Sequence, residues 1–323
     1  MKFLVIGGAG YIGSAFVNYV FSNTEHEVII LDDLSTGFKE AIHPKAKFIL
    51  GSILDSKILD TIFSTEKIDI VFHFAAKLIV PESVKEPAKY WLNNVGGVAT
   101  LLESMRKNNV NKIIFSSTAA VYGFPKSVPV DEEAPTIPCN PYGSSKLACE
   151  TLIKEAQIAY GINYVIFRYF NVAGASDNNL FGLRQPNPTL LIPVINKSII
   201  NKTKMQVFGN DYQTTKDGTC IRDYIHIEDL VRAHLLGAEW MISENQSNIF
   251  NLGTNSGYSV LEVLETTNKT LNTKVIYEFA PRRPGDPDRL ITKNDKANQI
   301  LNWKPEKTLA EMIQSDFDFR KKL

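Results

Sequence analysis

Residues 2–13 read KFLVIGGAGYIG, an apolar run that ends abruptly in glycines. Gly7, Gly10 and Gly13 recur every third residue, where a strand would hand over to a helix. Glycine at such a junction allows a tight turn and lets a pyrophosphate come up against the backbone. The helix that follows offers its N-terminal N–H groups and positive end to that anion. Plain tight turns use glycine as well, so the spacing needs support from its surroundings. The next apolar run, EVIILD, closes on Asp32, about 20 residues downstream. An acid there can bind the ribose hydroxyls of adenosine; taken alone it could also cap a helix or close a turn. Asp32 and the neighbouring Asp33 would repel a 2′-phosphate. The whole pattern points to a dinucleotide site for NAD rather than NADP.

Outward from this motif the first half of the chain keeps one rhythm. Strand-like runs fall at 2–7, 27–32, 47–50, 69–75, 112–117 and 163–170. Helix-like stretches lie between them at 11–21, 56–65, 87–107 and 141–160. Alternating strand and helix predicts a parallel, doubly wound, Rossmann-type α/β sheet. Several of the strands are nearly all apolar, as strands covered by helices on both faces should be. After Phe170 the rhythm breaks into GASDNNLFGLRQPNPT at 174–189, which is loop-like. The expected organisation is a dinucleotide-binding domain over 1–170, with 222–253 weaving back to it. A smaller C-terminal α/β substrate domain is expected over 171–323.

Composition narrows the classes of function. In 323 residues, 35 Lys and Arg balance 35 Asp and Glu, so no basic excess points to nucleic acid or an anionic membrane. Apolar residues at 44% and charged residues at 22% are ordinary for a globular protein. Cys139, Cys149 and Cys220 form no C-x-x-C pair, which argues against zinc and against a disulfide framework. The apolar start is too short for a signal peptide, so none is expected, and the expected location is the cytoplasm.

The stretch YGSSK at 142–146 carries the chemistry. Pro141 suits the first turn of a helix, on which Tyr142 and Lys146 share a face. A free tyrosine, with a pKa of about 10, is a poor base at neutral pH. A nearby ammonium favours the phenolate, so Lys146 is expected to lower the Tyr142 pKa and make it a usable base. Tyrosine four residues before lysine also occurs by chance, as a ring packed on a lysine stem. The pair gains weight from its place after the KIIFSS strand, whose end carries Ser116, Ser117 and Thr118. Strand C-terminal ends face the ligand crevice in such sheets, where Thr118 could bond the same hydroxyl as Tyr142.

Read in order, GGAGYIGS, LDDLSTG, HFAA, SSTAAVYG, PYGSSK, RYFNVAGA, RDYIH and PRRPGD resemble the extended short-chain dehydrogenase/reductases. Within them the chain is most similar to the NAD-dependent nucleotide-sugar epimerases of the UDP-glucose 4-epimerase type. The resemblance implies that Tyr142 takes the proton of the sugar 4-hydroxyl while a hydride leaves C4 for tightly bound NAD. The 4-keto sugar turns over and receives both back on its other face. Thr118, where many members carry serine, would assist, and Lys146 would complete the catalytic set.

The same resemblance assigns further contacts. For the cofactor it implies Gly7, Gly10, Tyr11, Ile12 and Gly13, then Asp32, Asp33, Ser52 and Ile53. Phe74, Ala75, Ala76, Asn93, Ser116 and Tyr169 follow, with Tyr142 and Lys146 again. For the UDP-sugar it implies Thr118, Asn171, Leu191, Phe208, Arg222, Tyr224, Arg283, Asp286 and Leu290. By chemistry alone, paired arginines suit a diphosphate, an acid suits a ribose diol and a ring suits uracil. A local Arg222–Asp223 salt bridge and a core position for Phe208 are the plainer alternatives. His73 and His226 read as fold residues. Homodimers through helices near 87–107 and 141–160 are a further family expectation.

Three departures stand out, one being that after HFAA, where many members place a lysine that contacts the cofactor ribose, this chain reads Lys77-Leu78. Ser52 takes the place of an aspartate that contacts adenine in most members. Leu290 occupies a slot that some members fill with tyrosine, so room for an N-acetyl group at C2, as in UDP-GlcNAc and UDP-GalNAc, is expected. A UDP-pentose epimerase would need the same residues. A 4,6-dehydratase would need carboxylates where Ala119 and Ala120 stand. A non-catalytic NAD-binding protein would have no use for Tyr142, Lys146 and Thr118 together.

Overall fold

The computed structural model describes residues 1–283 and 285–323. The chain forms two compact units. The first comprises Met1–Gly123, Thr136–Arg168 and Val231–Phe250; the second comprises Phe124–Pro135, Tyr169–Leu230 and Asn251–Leu323.

The first unit is built on a seven-stranded sheet. Its strands are β1 (Lys2–Ile6), β2 (Glu27–Asp32), β3 (Lys47–Leu50), β4 (Ile70–His73), β5 (Lys112–Thr118), β6 (Asn163–Tyr169) and β10 (Asn248–Leu252). They lie in the order β10-β6-β5-β4-β1-β2-β3, with the β3-β2-β1-β4-β5 pairings parallel. The order reverses between β1 and β4, the place where doubly wound sheets open a ligand crevice. Leu4, Val71, Ile113 and Ile166 are fully buried and join an apolar core with Leu101, Met105 and Ile153 of the covering helices.

The helices of this unit are α1 (Tyr11–Asn23), α2 (Ser56–Thr65), α3 (Val80–Lys85), α4 (Pro87–Tyr90), α5 (Gly97–Lys107) and α6 (Pro141–Tyr160). Asn140 caps α6 by accepting from the Gly143 N–H at 2.9 Å, and Pro141 occupies its first turn. Two expectations need correction. The 87–107 stretch is not one uniform α-helix: Trp91–Gly96 widens into a π turn between α4 and α5. The run 69–75 gives a strand only to His73, because the Phe74 and Ala75 N–H groups both turn to the Ile6 carbonyl, at 2.8 and 3.1 Å. Helix α3 was not anticipated; the 80–85 segment is too short to show a helical period.

The second unit holds a four-stranded sheet of β7 (Asn171–Ala173), β9 (Ile221–His226), β11 (Gly257–Ser259) and β13 (Arg289–Leu290). A two-stranded pair joins β8 (Met205–Phe208) to β12 (Tyr277–Ala280). Its own core gathers Ile192 and Ile195 of α7 (Leu191–Asn201) with Val207, Tyr224, Val263, Met312 and Ile313. Among the described residues no helix is long and apolar enough to cross a membrane.

Candidate active site

The glycine loop joins β1 to α1. Gly7 has φ +83°, and a Cβ there would come within 2.6 Å of the Ala75 nitrogen. A Cβ on Gly13 would collide with the Gly7 carbonyl oxygen, so these two positions exclude side chains. Gly10 differs: a Cβ there would meet only the Gly7 oxygen, at 3.3 Å, and would otherwise fill open space. No side chain caps α1, and its first turn holds no acid. The loop is thus closed to side chains at Gly7 and Gly13, and Tyr11, Ile12 and Gly13 form the first turn of a helix that no side chain caps.

Asp32 is buried at the end of β2. Its carboxylate accepts from Ala9 N–H at 3.0 Å and Leu34 N–H at 2.8 Å, so the acid also holds the loop in shape. Burial raises its pKa against the pull of these two donors. Asp33 accepts from Ser35 N–H at 2.8 Å. Lys77 reaches the same neighbourhood, with Nζ donating to Ser35 Oγ at 3.0 Å. Ser52 spends its hydroxyl locally, accepting from Leu54 N–H at 3.2 Å, and Ile53 is buried.

Beyond β4, Phe74 packs on Phe16 with ring centres 5.4 Å apart, and Ala75 and Ala76 continue the turn. Asn93 sits in the π turn and donates to Asn94 Oδ1 at 3.0 Å. Asn94 was missed by sequence reasoning. Its buried amide accepts from Lys77 N–H at 2.9 Å and donates to Lys77 O and Ser145 Oγ, both at 3.1 Å. The π turn, a frequent mark of functional positions, puts that amide between the loop after β4 and helix α6.

Tyr142 and Lys146 lie one turn apart on α6. Thr118 acts on the Tyr142 phenol by favouring its ionised form. Thr118 ends β5 and accepts from Ala120 N–H at 3.1 Å. Lys146 is buried, with its ammonium 4.3 Å from the centre of the Phe115 ring. The expected depression of the Tyr142 pKa is not what this environment produces. Burial pushes the phenol up to about 12, and Thr118 opposes this only in part. Lys146 is itself pushed down to about 8 by burial, with Cys149 and Glu150 pulling the other way. Desolvation is the largest influence on both groups, and neither is among the causes of the other's shift.

Ser116 turns its hydroxyl into the core, 3.3 Å from Nε2 of the buried His234. Tyr169 closes β6 and is half-buried. His73 is buried beside Phe115, and burial pushes it down to about 3, so it stays neutral. His226 in the second unit accepts from Glu228 N–H at 3.1 Å and contacts Ser315 Oγ at 3.0 Å.

In the second unit, strand β9 gathers the residues assigned to the nucleotide. Asn171 pairs opposite Tyr224 and Leu290 opposite Arg222. Asn171 Nδ2 donates to Asp223 O at 2.8 Å, and Tyr224 is buried with its phenol ionisation raised. The nearest acid to Arg222 in an ion pair is Asp286, at 3.7 Å, rather than Asp223. Asp223 is fully buried and accepts from Thr254, Asn255 and Thr292 N–H groups, tying β9 to the turn before β11 and to the end of β13. Burial pushes its carboxyl up to about 6 in spite of these donors. Phe208 ends β8 with the Arg283 guanidinium 4.0 Å from its ring centre. Leu191 opens α7 against the second core.

Residues 3–253 match the NAD dependent epimerase/dehydratase family. The chain belongs to that family. It is 48% identical over 307 residues to the UDP-glucose 4-epimerase of Lactobacillus helveticus, covering 95% of this chain and 92% of that protein. A solved UDP-glucose 4-epimerase from Stenotrophomonas maltophila, with bound NAD and formylated UDP-arabinopyranose, superimposes with a TM-score of 0.96. That structure is 34% identical and covers 100% of this chain and 98% of its own. The UDP-Glc/GlcNAc 4-epimerase of Campylobacter jejuni is 42% identical, with a TM-score of 0.86 over 100% of this chain and 99% of its own.

Proposed function

We propose that this enzyme interconverts UDP-galactose and UDP-glucose by inverting the sugar at C4, as a cytoplasmic NAD-dependent epimerase of galactose metabolism. The observation that supports the reading is Tyr142 one turn before the buried Lys146 on α6, with the Lys146 ammonium 4.3 Å from the ring centre of Phe115 on the strand that ends in Thr118. Bound NAD would supply the hydride acceptor and donor at C4 together with a positive ring charge. Gly7, Gly10 and Gly13 would cradle its pyrophosphate, and Asp32 has carboxylate lone pairs left for the adenosine ribose. Tyr142 takes the proton of the 4-hydroxyl and returns it, and Thr118 bridges the transfer. Lys146 is assigned the role of favouring the phenolate state in which Tyr142 acts, with burial lowering its own pKa. Arg222 and Arg283 are assigned to the diphosphate, Asp286 to the uridine ribose and Phe208 to the uracil. Homodimerisation through the outer faces of the helices over 87–107 and 141–160 is part of the reading. Trp91, Leu92 and Ile158 expose apolar surface there.

The test is direct. Purified protein is given UDP-galactose with no added cofactor, and the sugar anomeric protons are followed by NMR. Appearance of UDP-glucose is expected; a sample that stays UDP-galactose even after NAD is added sinks the reading.

A wider substrate range rests on Leu290, half-buried on β13 opposite Arg222. Leucine there leaves space that a tyrosine ring would fill, so UDP-GalNAc is expected to turn over as well. Leu290→Tyr should lower the ratio of UDP-GalNAc to UDP-galactose turnover by about tenfold or more. An unchanged ratio would show that this residue does not set the choice.

A further inference from the structure

Tyr142 and Thr118 stand on different elements, so their mutual position depends on how α6 is held against the end of β5. Glu150 lies on the same face of α6, one turn beyond Lys146, and is fully buried. Its carboxylate accepts from Ser117 Oγ–H at 2.5 Å. It also takes both prongs of the Arg168 guanidinium, Nε at 3.0 Å and Nη2 at 2.7 Å. Arg168 Nη1 donates to the Tyr122 hydroxyl at 3.0 Å. One buried carboxylate therefore ties α6 to β5, to β6 and to the turn after β5. Such an ion pair adds little net stability, because desolvation offsets the attraction. What a two-pronged guanidinium–carboxylate contact imposes is geometry. Ser117 immediately precedes Thr118, and successive strand residues face opposite ways, so holding Ser117 sets the roll of the strand end and the aim of Thr118.

We propose that Glu150, Arg168 and Ser117 are positioning residues that set the Tyr142–Thr118 proton-transfer geometry. The proposal rests on the epimerase reading above. Ser117→Ala removes one hydrogen bond and no charge. It is expected to lower kcat on UDP-galactose roughly tenfold, with KM and UDP affinity within about twofold and NAD content unchanged. The paired variant E150M/R168M removes both charges together and is expected to lose roughly a hundredfold in kcat while remaining folded. If the paired variant does not fold, Ser117→Ala decides. The proposal is overturned if kcat of Ser117→Ala matches wild type, or if its loss appears in KM or NAD content instead. Wild-type protein that turns over while the variants match it defeats the clamp alone. Wild-type protein that turns over no UDP-sugar defeats the epimerase reading, and the clamp with it.

Discussion

Tyr142→Phe is expected to lower kcat for UDP-galactose by roughly 10²–10⁴-fold, the usual worth of a positioned acid–base group. The substitution removes one oxygen. The ring stays, and with it the edge-on packing against Tyr90, whose centre lies 6.5 Å away. Tyr90 is itself fixed, fully buried with its hydroxyl donating to Ile79 O at 2.7 Å. The variant should therefore fold normally and retain NAD, since the glycine loop and Asp32 are untouched. The comparison needs two measurements on one preparation, turnover by NMR and NAD released on denaturation. A variant that keeps NAD and also keeps turnover within about tenfold of wild type would remove Tyr142 from the proton path. A variant that loses NAD would move the residue from chemistry to cofactor binding.

The second large effect is on stability. Glu150→Met leaves the Arg168 guanidinium buried without its carboxylate, and arginine cannot shed its charge. Burial of Arg168 is nearly complete, with a side-chain exposure of 4% against 0% for Glu150. A loss of about 3–5 kcal/mol in unfolding free energy is expected, read from urea denaturation. Adding Arg168→Met should restore most of that loss, because an apolar pair of similar size costs little where a lone charge costs much. If the single variant is as stable as the double, the pair is not buried as described. The same double variant serves the kinetic test of the clamp, so stability and positioning are separated in one set of proteins.

Much of this was legible in the sequence because it depends on local order. The glycine spacing, the apolar run before it and the acid ending the second strand follow from backbone geometry within 32 residues. The 3.6-residue helical repeat puts Tyr142 and Lys146 on one face without help from any distant residue. The alternation of strands and helices announced the parallel sheet, since each strand covered on both faces must be apolar throughout.

What tertiary structure alone decided lies where residues far apart in sequence share one environment. Whether Lys146 depresses the Tyr142 pKa depends on water access, and burial drives both groups toward their neutral forms. Spacing along a helix carries no information about desolvation. The partners of Glu150 lie 33 and 18 residues away, and those of Asp223 between 31 and 69 away, with no local pattern to announce them. The π turn at Trp91–Gly96 has no signature in helical periodicity; it accompanies the seating of Asn94 against Lys77 and Ser145. Sequence by itself determined which residue types stand at each strand end and helix face, because those follow from short-range geometry. Folding decided which of them are dry, charged and held in place, because solvation and long-range hydrogen bonding exist only once the chain is packed.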